Sequence, residues 1–297
     1  MGMLYVVATP IGNLGDISTR AREALCSVDT VLAEDTRVTR KLLNHIEAKP
    51  RLERFDEHTA FEKTPAIVER VLAGERIALV SDAGTPGISD PGQGLVDAVL
   101  KSQIDSEVGR ISSDAFEEIE RDPCAEHISS LVSEAETKAR RSDISEAEEK
   151  SLPIPNPDTH YSSFVRVIPG PSAVIAALVA SGLPSDTFYF GGFLPRKAKA
   201  LRDVLQTLAT LDATLVFYES PQRLVKTLDA CAEVLGERRA AVVRELTKMH
   251  EEVVRDQLPQ LAAQFSARDS IKGEIVLVIA LAQREKVARV HVDKYGG

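Results

Sequence analysis

The residues best suited to chemistry in this 297-residue sequence sit in short loops that crowd glycine, proline, hydroxyl and carboxylate groups together. The densest reads Ser81-Asp82-Ala83-Gly84-Thr85-Pro86-Gly87 and continues to Asp90-Pro91-Gly92. It follows the β-branched run at 76–80, the pattern of a buried strand. Loops at the carboxyl ends of strands are where open α/β sheets bind ligands. Glycine lets the backbone approach a ligand and proline holds its path. Two further loops have the same character. Thr9-Pro10-Ile11-Gly12-Asn13-Leu14-Gly15-Asp16 follows a strand pattern at 3–8, and Pro169-Gly170-Pro171-Ser172-Ala173 follows one at 165–168. A tight strand-to-helix connection without a ligand would use the same residue types.

Charged groups recur at the other strand ends. Glu34-Asp35-Thr36-Arg37 ends the run at 30–33, and offers either reactive carboxylates or an internal ion pair that caps the next helix. Glu219-Ser220-Pro221-Gln222-Arg223 ends the run at 214–218, and Glu245-Leu246-Thr247-Lys248 ends that at 240–244. Arg196, Lys197, Lys199 and Arg202 form the densest basic cluster. Positive charge at a helix start opposes the helix dipole. The cluster is therefore either a solvated helix start or a contact for an anionic partner. His58 stands alone in a polar turn and reads as a surface residue. Neither GxGxxG nor a Walker pattern is present, which counts against a dinucleotide or a nucleoside triphosphate.

The elements that must position these loops alternate strand, loop and helix as far as residue 100. That rhythm predicts an α/β fold, a mostly parallel sheet with helices on both faces. Helices are expected at 38–45, at 64–73 ending on Gly74, at 94–100, and at 173–181 with Ser172 as cap. From 101 to 164 the pattern changes. Charged helical pieces at 114–120, 127–141 and 145–150 precede a proline-rich linker at 151–157, and this reads as an acidic helical insertion. A second domain starts near Thr187, with strands at 188–190, 214–218, 240–244 and 275–280, an extended pair at Val253 and Val254, and a helix at 258–265. The expected division is a first domain at 1–100 plus 165–184, the insertion at 101–164, a second domain at 185–282 and a polar tail at 283–297.

Composition bounds the function. The net charge is −9, but residues 101–164 hold 15 acidic and 7 basic residues, a local −8 that leaves the rest near −1. The acidity belongs to one segment, and the remaining surface is free to carry a basic face. Tryptophan is absent and aromatics make up 5% of the chain, which argues against a base-stacking surface. Cys26, Cys124 and Cys231 are far apart, without metal or disulfide spacing, so no metal is predicted and a reducing compartment fits. With no apolar run long enough to span a bilayer, a soluble cytoplasmic protein is expected, with no membrane partner.

Taken together, the strand-end loops resemble the tetrapyrrole-methylase-type (class III) S-adenosylmethionine-dependent methyltransferases. Within that family they are most similar to the branch that methylates the 2′-hydroxyl of a cytidine ribose in small-subunit (16S) ribosomal RNA. The resemblance is carried by Val7 to Leu14, Ala33 to Arg37, Val80 to Gly92, Ile168 to Ala173, Phe190 to Lys197, Phe217 to Pro221, Arg244 to Lys248 and Lys272 to Glu274, in that order. It covers residues 3 to about 282 apart from the insertion. Gln222 stands where the family usually has histidine, and the family usually passes from residue 100 to the strand at 165 within a few residues. Many relatives also carry a helical C-terminal extension.

The resemblance implies a two-domain class III fold, a mostly parallel first sheet and a mixed second one, with S-adenosyl-L-methionine in the cleft between them. The cofactor-binding residues it implies are Pro10, Ser81, Asp82, Ala83, Gly84, Thr85, Asp90 and Pro91 from the first two loops. Pro169, Gly170, Pro171, Ser172, Tyr218, Gly273 and Glu274 complete the set. Asn13, Arg37, Arg196 and Lys197 are expected to contact RNA. Methyl transfer is an in-line displacement in which positioning dominates. A ribose hydroxyl also needs help to lose its proton, for which Asp35, Glu219 and Lys197 are the candidates. The implied partners are ribosomal RNA or the small ribosomal subunit, and a second copy of the chain. An enzyme acting on a tetrapyrrole, and a non-enzymatic protein that binds RNA or another partner, are the alternatives.

Overall fold

A computed structural model describes residues 2–88, 92–103 and 164–282. Asp90, Pro91, the expected helical pieces between 114 and 150, the linker at 151–157 and the tail at 283–297 lie outside the described residues.

The first sheet contains β1 (Met3–Val7), β2 (Thr30–Ala33), β3 (Arg51–Arg54), β4 (Arg76–Val80) and β5 (Val165–Ile168), in the order β3-β2-β4-β1-β5. Every pairing in it is parallel. The central strands β2 and β4 are buried almost throughout, because helices cover both faces and leave no polar side. On one face α1 (Thr19–Ser27) and α2 (Thr36–His45) supply Ala21, Leu25, Leu42 and Leu43. On the other, α3 (Glu57–Leu72) supplies Ile67 and Val71, and α4 (92–103) supplies Leu95 and Val99.

The second sheet is mixed, as expected. Its strands are β6 (Phe188–Phe193), β7 (Thr214–Glu219), β8 (Arg239–Arg244), β9 (Glu252–Gln257) and β10 (Ile275–Ile279), in the order β6-β7-β10-β8-β9. Only β6 and β7 run parallel. One face packs on α6 (Ala198–Leu208), α7 (Leu224–Leu235) and α8 (Leu258–Ser266). The other packs on α5 (Ala173–Ser181), where Val174, Ala177 and Leu178 meet Val216, Val243 and Val276.

Several details differ from the sequence reading. Helix α5 packs on the second sheet, so the change of packing partner falls near Ser172 rather than at residue 184. Helix α3 begins at Glu57, not at 64, and His58 is helical rather than in a turn. Pro65 looks like a first-turn proline, but a capping box upstream sets the true start. Asp56 accepts the Thr59 backbone N–H at 3.0 Å and Thr59 Oγ1 accepts the Asp56 N–H at 3.1 Å. Helix α2 starts two residues early because Asp35 caps it, accepting the Arg37 N–H at 2.8 Å. Ser172 occupies the cap position of α5 but makes no side-chain capping bond. Helix α7 was not anticipated, although Leu224, Leu228, Cys231 and Leu235 already carry the helical spacing.

Candidate active site

The three glycine-proline loops meet at the carboxyl ends of the adjacent strands β4, β1 and β5. Thr9 and Gly84 exchange backbone hydrogen bonds, Thr9 N–H to Gly84 O at 2.8 Å and Gly84 N–H to Thr9 O at 3.1 Å. Thr9 Oγ1 donates to Ser81 O at 3.2 Å, and Thr85 Oγ1 donates to Pro171 O at 3.4 Å. Gly84 takes φ +84°, a conformation L side chains rarely adopt, and this turns its chain back against the first loop. The loops therefore form one rigid shelf, held largely by main-chain bonds.

The facing wall comes from the second sheet. Tyr218 and Glu219 end β7, while Leu246 follows β8 and Gly273 and Glu274 precede β10. Phe190 and Phe193 pack at 5.0 and 5.5 Å from the Tyr218 ring and fix its orientation. Gly273 is required twice over. Its φ is +93°, and a Cβ there would lie 2.4 Å from Glu245 Cδ. The two walls touch at Gly12, where a Cβ would lie 2.5 Å from Lys248 Cγ and 2.8 Å from Thr247 Oγ1.

Between the walls lie two adjoining chambers. The larger, of about 470 Å³, is lined from the first sheet by Ile11, Glu34, Ser81, Asp82 and Ala83, and from the second by the residues just named. The smaller, of about 260 Å³, is lined by Pro10, Gly12, Leu14, Val38, Lys41 and Lys248 among others. Asp82, with Ile11, Ser81, Ala83 and Glu274, borders both.

The structure sorts the expected site residues into distinct places. Ser81, Asp82, Ala83, Tyr218, Gly273 and Glu274 line the larger chamber, and Pro10 lines the smaller. Gly84, Thr85, Pro169, Gly170, Pro171 and Ser172 are absent from either lining, and Thr85 and Pro171 tie two loops together. Glu219 borders the larger chamber, but its carboxylate is committed: it accepts Thr227 Oγ1–H at 2.5 Å and the Ser220 N–H at 2.8 Å, and lies 3.5 Å from Arg223 Nε. Asp35 lines neither chamber; besides capping α2 it pairs with Arg37 at 2.7 Å. The Arg37 bonds hold the Asp35 carboxyl down at about 2, a poor base. Asn13 accepts the Gly15 N–H at 2.9 Å and caps a single turn at Leu14–Asp16. Arg196 and Lys197 precede α6 and border neither chamber, and Arg202 of the same cluster pairs with Glu233 at 2.8 Å. Sequence reading missed Lys41 and Lys248 as cleft residues, whereas Glu34 and Ile88 belong to strand-end loops already expected to face the cofactor or the RNA. Lys248 was quoted in a strand-end motif, but only the fold shows it crossing to the first loop.

Two charged groups in the cleft are perturbed. Burial between the walls pushes the Asp82 carboxyl up, although its Oδ1 accepts the Asp35 N–H at 2.9 Å. Burial works against the Lys248 ammonium, but Glu274 and Glu245, each at 3.0 Å, outweigh it and raise its pKa.

The sequence matches the family described as Tetrapyrrole (Corrin/Porphyrin) Methylases over residues 3–146 and 144–262. The chain belongs to this family. Relatives include two proteins called Ribosomal RNA small subunit methyltransferase I. The one from Mesorhizobium japonicum is 38% identical over 98% of this chain and 79% of its own. The one from Synechocystis sp. is 39% identical over 96% of this chain and 81% of its own. Among solved structures, the methyltransferase CobJ superposes with a TM-score of 0.56 at 16% identity, covering 96% of this chain and 97% of that one. A diphthine synthase gives 0.55 at 15% identity, covering 94% and 89%. At such identity these two establish the fold.

As a member of this family the protein is an S-adenosylmethionine-dependent methyltransferase. The residues present fit that cofactor. The larger chamber lies within the usual range for a small-molecule site, roughly 300–1,000 Å³. Its walls combine Ser81, Asp82 and Ala83 of the strand-end loop with apolar Ile11, Leu246 and Ile275 and the Tyr218 ring. When bound, the cofactor supplies a methyl carbon made electrophilic by a sulfonium. The chain's own contribution would be a preorganised shelf of loops, a packed aromatic wall and the carboxylates of Glu34 and Glu274 near a cationic ligand.

Proposed function

We propose that the protein methylates the 2′-hydroxyl of a cytidine ribose in small-subunit (16S) ribosomal RNA. The observation that carries this reading is identity of 38–39% along nearly the whole chain to proteins bearing the rRNA methyltransferase name. Solved tetrapyrrole enzymes of the same fold, such as uroporphyrin-III C-methyltransferase at 16%, are far more distant. The test is transfer of labelled methyl to assembled small subunits and to naked ribosomal RNA, followed by mapping of the alkali-resistant linkage that a 2′-O-methyl group leaves. Absence of label from both, or label on a base, sinks the reading.

Arg37, Arg196 and Lys197 hold RNA phosphates in this scheme. Replacing all three with alanine is expected to weaken RNA binding and flatten its salt dependence, because each phosphate contact releases counterions. The protein acts as a homodimer. Support comes from exposed apolar side chains on three consecutive elements: Val167 on β5, Ile175 and Val179 on α5, and Phe188, Tyr189 and Phe193 on β6. Exposed large apolar groups of this kind are what an association surface would cover. Val179→Arg with Phe193→Arg is expected to shift the sedimentation coefficient to that of a monomer. No helix among the described residues is long and apolar enough to cross a membrane. The proposed location is the cytoplasm, where the substrate is made.

A further inference from the structure

The reaction requires a group that takes the proton of the attacking hydroxyl, and among the described residues the cleft offers few. Asp35 is paired with Arg37 and borders neither chamber. Glu219 is buried under Thr227, Ser220 and Arg223. Glu274 is paired with Lys248. Glu34 borders only the larger chamber. Asp82 borders both, so its carboxylate stands on the wall that the two chambers share.

We infer that Asp82 is the general base of the reaction, acting on a ribose hydroxyl presented from the smaller chamber. The geometry supports this in three ways. Asp82 is fixed, because Oδ1 accepts the Asp35 N–H at 2.9 Å while the Ser81–Gly84 turn is pinned to Thr9. The smaller chamber suits one nucleotide. It has apolar Ile11, Leu14 and Val38 for a ribose and base, and Lys41 for a flanking phosphate. Finally, the walls desolvate Asp82 and raise its proton affinity, which favours a carboxylate that must accept a proton. The charged groups around it are Asp35 and Arg37 from the start of α2, Lys41 further along α2, Glu34 at the end of β2, and Glu219, Lys248 and Glu274 from the second sheet and its loops.

The step balances. The ribose oxygen forms its bond to the methyl carbon as the carbon–sulfur bond breaks, the electron pair of that bond goes to sulfur, and the hydroxyl proton passes to the Asp82 carboxylate. The products are a methyl ether, a neutral thioether and a proton later released to solvent.

This inference rests on the 2′-hydroxyl being the acceptor, so the experiment first requires that the wild-type protein methylates a ribose of small-subunit RNA. Failure there removes the functional reading itself. Given an active wild type, Asp82→Asn is expected to lower kcat by at least about 100-fold, the usual range for a general base. Calorimetric affinity for S-adenosylmethionine, and affinity for the small subunit, should stay within about threefold (a change of roughly 0.7 kcal/mol). The wild-type kcat should rise with pH as Asp82 ionises, and the variant should lose that limb. A variant that keeps its rate, or keeps the acidic limb, overturns the assignment. So does a loss of cofactor affinity as large as the loss of kcat, which would make Asp82 a ligand of the cofactor.

Discussion

At the scale of single residues, the cleft depends on positions where a side chain would be in the way. Gly273 is the clearest. It takes a left-handed backbone, and a Cβ would meet the Glu245 side chain at 2.4 Å. That backbone costs a non-glycine residue about 1–2 kcal/mol, and the collision adds to it. Glu245 in turn accepts the Glu274 N–H at 2.9 Å and pairs with Lys248, so its displacement would disturb the chamber wall. Gly273→Ala is expected to weaken S-adenosylmethionine binding by about tenfold or more in calorimetry, roughly 1.4 kcal/mol. Unchanged affinity would mean that the wall can yield there without consequence. The same scale explains why Asp35 and Glu219 look reactive in the sequence. A carboxylate at a strand end is equally what a helix cap or a buried hydrogen-bond acceptor requires, and only the partners distinguish these roles.

At the scale of elements, two devices at the periphery hold the first sheet's helices in register. The capping box on α3 joins Asp56 and Thr59 reciprocally. Thr59→Ala removes the return half of that box and is expected to cost about 1 kcal/mol in urea unfolding, with the cleft intact. The second device ties α3 to the sheet. Arg70 reaches Glu75 at 2.7 Å and Glu53 at 3.0 Å, and Thr30 Oγ1 donates to Glu75 at 2.6 Å. The bond from Arg70 is the largest cause holding the Glu75 carboxyl at about 2 instead of 4.5. A depressed carboxyl contributes stability that is complete above 4.5 and is lost as pH falls toward about 2. Glu252, held down at about 2 chiefly by Arg268 and also by Arg244, contributes with the same sign. Glu75→Gln is therefore expected to be less stable than wild type above pH 4.5, with the difference narrowing toward pH 2 in denaturant titrations. A constant difference across that range would show that the ionised pair contributes nothing.

At the scale of the whole molecule, the ends of the acidic segment lie together. Gln103, the last described residue of α4, accepts the Phe164 N–H at 2.9 Å through its side chain, and Phe164 leads directly into β5. The first sheet therefore does not depend on residues 104–163 to bring β5 beside β1, since β5 pairs with β1 along its length. Excising 104–163 and joining the ends with a short glycine-serine linker is expected to leave a soluble protein that binds S-adenosylmethionine within about threefold of the full chain. Loss of solubility or of cofactor binding on that excision would make the segment part of the fold.

Much of the architecture was legible because its causes are local. The β-branched runs, the glycine and proline punctuation and the alternating rhythm required a parallel α/β sheet, and the loop motifs indicated the family. The starts of α2 and α3 were harder to read, because a cap outweighed the nearer proline or β-branched residue. The sequence alone determined which loops could carry ligand chemistry, since backbone freedom at Gly84 and rigidity at Pro169 and Pro171 are properties of the residues themselves. Tertiary structure decided which of them face the same space. Pairing of β10 between β7 and β8 brings Gly273, Tyr218 and Lys248 against the Thr9 and Ser81 loops. That juxtaposition sets Asp82 on the wall shared by both chambers, because contacts between the two sheets' loops are not encoded in any local spacing.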